Sequence, residues 1–162
     1  TEKIASCYHA SFGVPVIITR MFAYLNPRRT DLFSAAFAKQ VVEVERGQRD
    51  EIVHGNLKST RTLIDVRDMA EAYWVASQKC NLGEPYNMGG ETIIEVGEFL
   101  EVLKSRAKVK IKSREDPSLL RPKDVTMQIP DVTKFAKQTG WKAKYSFEES
   151  LDFLLDYYRN LE

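Results

Sequence analysis

The stretch "GVPVIITRMFAYLNPRRTDLF", residues 13–33, decides the fold class. Gly13 stops the helical pattern of residues 1–12, and Pro15 follows at once, so one element ends there and another begins. Val14–Phe22 is a short, β-branched run, the pattern of a strand buried on both faces as in a parallel sheet. A proline-marked loop then presents two adjacent arginines, Arg28 and Arg29, that no core requires. A helix is expected from near Asp31, because Phe33, Phe37, Val41 and Val44 recur at helical spacing and Gly47 supplies a stop. Helix, buried strand and helix in succession define an α/β class.

The remaining chain continues the alternation. "DEIVHGN" (50–56) and "TRTLIDV" (60–66) read as two strands separated by a turn. Asp65 is placed to cap a helix whose apolar stripe is Met69, Ala72, Tyr73 and Ala76. "PYNMGG" (85–90) reads as a brief strand ending in a tight glycine turn, followed by a helix over 95–107 that buries Val96, Phe99, Leu100 and Leu103. "VKIKSR" (109–114) alternates apolar and polar side chains, as a strand with one wet face does. After an irregular, proline-marked stretch, two helices are expected. Asp131 caps the first; Ser146 with Glu149 forms a capping box for the second, which buries Leu151, Leu154, Leu155 and Tyr158.

Composition narrows the function classes. The sequence has 162 residues, enough for one domain with a core, and a formal net charge of +1. That balance argues against a broad nucleic-acid face, although two arginines suffice to hold one phosphate group. No apolar run reaches membrane-spanning length. Cys7 and Cys80 are isolated, which fits a reduced, cytoplasmic setting, and His9 and His54 read as surface or packing residues. The sequence contains no Gly-x-Gly-x-x-Gly turn, no Gly-x-x-x-x-Gly-Lys loop, no metal-ligand spacing and no base–nucleophile arrangement. From chemistry alone the chain does not read as an enzyme. Three arginine sites remain: Arg28-Arg29 in the loop, Arg61 opening a strand, and Arg121 between Leu120 and Pro122. Arginine is suited to forked contacts with phosphate oxygens, although each of these, taken singly, reads as ordinary surface charge.

Taken together, "FGVPVIITRMF", "PRR", "TRTLIDVRDMAEAYWVA", "EPYNMGG", "LLRPKDVTMQIPD" and "KFAKQTGWKAKYSFEESLDFLLDYY" resemble, in order, the extended short-chain dehydrogenase/reductases that act on nucleotide sugars. Within them, "FAKQVVEVERG" and "RPKDV" are most similar to GDP-mannose 4,6-dehydratases and the related GDP-4-keto-6-deoxymannose reductases. The resemblance implies the C-terminal part of an extended Rossmann-type fold. Residues 1–162 would be one nucleotide-sugar (substrate) binding portion, with 1–22 belonging to the dinucleotide-binding domain. It assigns Arg61 and Arg121 to the diphosphate of a nucleotide sugar, Asp124 to the nucleotide's ribose, and Tyr24 and Arg29 to the cofactor, NADP or NAD. It implies a homo-oligomeric parent.

Departures from the family pattern are equally specific. Ala23 stands where the family usually has asparagine, and the helix position of a guanine-binding lysine is apolar, with Lys39 nearby. No Tyr-x-x-x-Lys occurs, so the resemblance implies the C-terminal half of an enzyme that carries no catalytic residue of its own and is inactive when isolated. The parent would be a dehydratase that oxidises C4 of the sugar, loses water across C5 and C6, and reduces C6. Simple 4-keto reduction, 4-epimerisation and a non-catalytic nucleotide-binding or interaction module stay open as alternatives. The strand Val14–Phe22 and its missing neighbours also lead us to expect an apolar face that associates with a partner.

Overall fold

Helix ends follow their local signals. α1 (Glu2–Phe12) ends at Gly13, whose φ of 66° is the left-handed conformation that returns its N–H to the His9 carbonyl. α3 (Val66–Lys79) begins at Asp65, whose carboxylate accepts from the Arg67 N–H at 2.7 Å. α6 (Phe147–Arg159) begins with a reciprocal box: the Glu149 N–H donates to Ser146 Oγ (3.1 Å) and the Ser146 N–H to Glu149 Oε2 (2.8 Å). Between these lie α2 (Phe33–Glu45), α4 (Val96–Ser105) and the short α5 (Thr133–Thr139), where the Thr133 N–H donates to Asp131 Oδ1. The structure, a computed structural model, describes residues 1–161.

Among the described residues the strands form three small sheets. β1 (Ile18–Met21) runs parallel to β4 (Pro85–Met88), with Ile18 opposite Pro85 and Met21 opposite Met88. β2 (Glu51–His54) is parallel to β6 (Lys112–Glu115). β3 (Thr60–Leu63) is central in the third sheet, antiparallel to β5 (Thr92–Glu95) and parallel to the two-residue β7 (Met127–Gln128). β2 and β3, close in sequence, therefore belong to different sheets.

Two apolar clusters hold these layers. One joins α2, α4 and α6 through Val41, Phe99, Leu100, Leu151, Leu154 and Leu155. The other joins α3, β4 and α5 through Met69, Ala72, Tyr86, Met88 and Phe135. Full burial of one such large side chain stabilises by about 1.5–3 kcal/mol. Arg67 ties α3 to α6: it grips Asp65 at two points, and its guanidinium carbon lies 3.6 Å from the Tyr145 ring centroid and 4.2 Å from that of Phe153. Gly90 lets β3 approach closely, since a Cβ there would stand 1.9 Å from the Leu63 carbonyl oxygen. Gly90 of the glycine pair thus serves close approach of backbones, whereas Gly89 faces the side chains of Pro130 and Phe22.

Several sequence expectations are corrected. In β1 only Ile18 is buried, and Arg20 is exposed and paired with Glu2 at 2.8 Å, because the strand has a single partner among the described residues. Tyr73 lies on the exposed side of α3, with only a 3.8 Å contact from its hydroxyl to the Met21 sulfur. β5 occupies residues that the helical reading reached only at Glu95, and α4 follows directly from it. β6 begins at Lys112, leaving the buried Ile111 just outside it. α1 buries none of its residues within the described chain and exposes Ile4, Tyr8 and Phe12.

Candidate functional site

The end of β1, the loop before α2 and one face of α2 border a cleft of about 780 Å³, closed on its far side by β2, Arg61 and residues 119–128. Tyr24, Arg29, Arg61, Arg121 and Asp124 all line it. A smaller cavity of about 390 Å³, mostly apolar and bounded by Phe135, Trp141 and Phe147, holds none of the five.

Arg61 is oriented by the protein itself. Its Nη1 donates to the Thr60 carbonyl (2.8 Å) and its Nη2 to the Val125 carbonyl (2.7 Å). A guanidinium has five N–H donors, so three stay available to a ligand. Asp124 Oδ1 lies 4.0 Å from Arg61 Nη2, a loose pairing. The carboxylate is held more firmly by Asn56 Nδ2 at 2.9 Å, Ser59 Oγ at 3.2 Å and the Val125 N–H at 2.9 Å. These donors, the Asn56 amide foremost, hold the Asp124 carboxyl below the usual carboxylate range. Three of about four lone-pair sites on Asp124 are thereby filled, leaving room for one further hydroxyl. Arg121 is exposed, and its guanidinium has no acceptor among the described residues.

At the other edge, Arg29 is engaged by Asp31 through two parallel bonds, Nε–Oδ1 at 2.8 Å and Nη2–Oδ2 at 2.7 Å. Its Nη1 donates to the Tyr24 hydroxyl at 3.1 Å. The pair is exposed, and the bond from Arg29 lowers the Asp31 pKa. Arg28, adjacent in sequence, does not line this cleft and instead borders another cavity. Lys39 also lies outside the cleft, while Gln40 lines it. The expectation that the arginine pair would face one phosphate together is therefore corrected.

Sequence reasoning missed Asn56, Ser59 and Asp31. Asn56 carries a recognisable turn signal, since its Oδ1 accepts from the Lys58 N–H at 2.9 Å as turn asparagines do. Nothing local, however, signals that its amide reaches Asp124. Among the described residues, no group of three or more His, Cys, Asp or Glu is placed to hold a metal ion, and no helix is long and apolar enough to cross a membrane.

Solved structures share this architecture. The chain superposes on RMD from Pseudomonas aeruginosa complexed with NADPH at a TM-score of 0.88 and 21% identity, covering 97% of this chain and 52% of that one. It superposes on UDP-glucuronic acid 4-epimerase from Bacillus cereus, in complex with UDP-glucuronic acid and NAD, at a TM-score of 0.86 and 21% identity, covering 99% and 50%. The fold is that of the extended short-chain dehydrogenase/reductases. Residues 1–153 match the family model described as GDP-mannose 4,6 dehydratase, and the chain belongs to that family.

Relatives within reach differ in their reactions. GDP-6-deoxy-D-mannose reductase of P. aeruginosa is 26% identical over 156 residues, covering 95% of this chain and 51% of the relative. UDP-glucuronic acid decarboxylase 1 of Arabidopsis thaliana is 29% identical over 165 residues, covering 98% and 36%. The chain spans about half the length, or less, of these curated relatives.

Proposed function

We infer that this chain is the nucleotide-sugar-binding half of an NAD(P)-dependent nucleotide-sugar enzyme of deoxysugar biosynthesis, a GDP-mannose 4,6-dehydratase in our reading. The observation that carries it is the convergence of Arg61, Arg121 and Asp124 on one cleft that Tyr24 and Arg29 border. Arg61 arrives pre-oriented by two backbone carbonyls, so little side-chain freedom is lost when it takes a diphosphate. Arg121 adds an uncommitted fork, and Asp124 retains one site for a ribose hydroxyl.

The residues present fit one edge of a dinucleotide. Arg29 is exposed and keeps two N–H donors beyond those given to Asp31 and Tyr24, which suits a phosphate oxygen. A bound nicotinamide cofactor supplies reversible redox chemistry at the sugar. The chain's own residues orient the nucleotide and diphosphate, and the acid–base groups of the reaction lie outside this sequence. We also read the uncovered apolar side of α1 as an assembly surface of a homo-oligomeric parent.

A second reading is a 4-keto-sugar reductase, favoured by the P. aeruginosa reductase that matches 95% of the chain. Both reactions use the same diphosphate grip, and product analysis separates them. Calorimetry with GDP and GDP-mannose tests the binding assignment. Charge-assisted bonds are worth roughly 1.5–3 kcal/mol, so Arg61→Ala and Arg121→Ala should each weaken binding about tenfold or more, with Arg114→Ala as control. Equal affinity across all variants would reduce the two arginines to ordinary surface charge.

A further inference from the structure

The sequence holds eleven arginines, and nine of their side chains donate to an acceptor within the protein. Among the described residues, the two whose guanidinium groups have none are Arg121 and Arg28. Arg121 lines the cleft. Arg28 lines a separate cavity of about 400 Å³ on a different face of α2, bounded by Lys39, Glu43 and Arg46 of that helix region and by Tyr157.

This cavity is built. The Tyr158 hydroxyl donates to the Pro27 carbonyl, fixing the end of α6 beneath the loop that carries Arg28, whose own N–H is held by Asn26 Oδ1 at 3.0 Å. Arg46 Nη2 donates to the carbonyls of Tyr158, Arg159 and Leu161, so its position is set while its Nε and Nη1 keep no acceptor among the described residues. Among the described residues that line the cavity, three cations thus face one carboxylate, and that carboxylate, Glu43, is already taken by Arg49 at 3.0 Å and by Lys39 at 3.7 Å. In a chain of formal net charge +1, this is a marked local concentration of positive charge.

We propose that the cavity is a second anion site, taking the phosphate or diphosphate group of a small metabolite. Arg28 and Arg46 supply forked donors, and Lys39 a point charge. A single carboxylate would leave the local excess of two positive charges uncompensated; a diphosphate matches it. The volume falls within the range of about 300–1,000 Å³ found for small-ligand sites, and the Tyr157 ring offers a wall for the rest of the molecule. The site is distinct from the cleft and does not depend on the reading of that cleft.

Pyrophosphate and GDP are the probes, followed through the arginine Nε–Hε resonances. We expect Arg28 and Arg46 to shift saturably, independently of Arg61 and Arg121. Arg28→Ala should raise the concentration that half-saturates Arg46 by about tenfold or more, leave Arg61 and Arg121 unaffected, and leave thermal stability in phosphate-free buffer unchanged. Arg28→Lys should restore part of the affinity. GDP saturating Arg28 below pyrophosphate would identify a nucleotide, and equal saturation a phosphate group recognised alone; both support the site. Arg28 and Arg46 signals that stay fixed or drift without saturating, or an Arg46 signal that titrates equally in wild type and Arg28→Ala, would overturn it, whatever the cleft arginines do.

Discussion

Asp31 holds Arg29 by two parallel hydrogen bonds at the border of the large cleft, while Arg28, one residue earlier, opens onto another cavity. The same short loop therefore distributes two adjacent guanidinium groups to two places. Arg29 is oriented and already paired; Arg28 is open.

The Asp31 grip sets how available Arg29 is to a phosphate. Asp31→Asn keeps the shape of the side chain and removes its charge, so the guanidinium is left with a weaker internal competitor. Phosphate-bearing ligands should then bind the cleft more tightly, by up to about fivefold, the size expected for release of one exposed pair. Titration of wild type and variant with pyrophosphate at low salt measures this. Unchanged affinity would show that Arg29 makes no contact with the ligand.

Asn56 should govern ligand affinity without touching the ligand. Its amide donates to Asp124, and Asp124 in turn fixes the segment whose Val125 carbonyl orients Arg61. Asn56→Asp sets a second carboxylate against the first, a like-charge contact that must open the segment. GDP affinity should fall about tenfold, with the melting temperature changed far less. An equal loss of affinity in Asn56→Asp and in a purely destabilising core variant would place Asn56 among the ordinary structural residues.

Acid should weaken the fold through Asp65. Burial raises the pKa of its carboxyl, but the bonds from the Arg67 side chain and N–H outweigh burial and hold it below the usual range. A carboxyl lowered in the native state stabilises fully above its unfolded pKa. That contribution is lost as pH falls through the depressed native value. Asp65→Asn removes an ion-pair partner whose own side chain is fully buried, and should cost about 2–4 kcal/mol at pH 7. Denaturant unfolding of the two proteins should converge as pH is lowered toward 3; a constant difference from pH 7 to pH 3 would contradict this.

Gly90 and Gly89 should differ in tolerance. A methyl group at Gly90 would meet the Leu63 carbonyl oxygen at 1.9 Å, a backbone atom that cannot retreat without moving β3. At Gly89 the nearest atoms are side-chain carbons of Pro130 and Phe22 at 3.0 and 3.3 Å. Gly90→Ala should destabilise by about 3 kcal/mol or more, and Gly89→Ala by roughly 1 kcal/mol. Equal melting temperatures for the two variants would show that β3 shifts freely.

The sequence by itself determined what depends on near neighbours. Gly13 as a helix stop, Asp65 as a cap and the Ser146–Glu149 box are all contacts within a turn of chain, where residue type fixes the available hydrogen bond. The apolar spacing of α2, α4 and α6 likewise showed which face of each helix is buried, because a 3.6-residue period is written in the order of residues. The five residues singled out for binding came from the ordered family motifs, and they line one cleft. Tertiary structure alone decided the rest. β5 is a strand because β3 offers it an edge, and β1 is half exposed because it has one neighbour among the described residues. Asn56 reaches Asp124 across 68 positions of sequence. Arg28 parts from Arg29 because the loop seats them against different surfaces of α2. Pairing partners, open sheet edges and the direction in which a loop side chain points depend on surfaces brought together from distant segments, and no local pattern of residues encodes which surface will arrive.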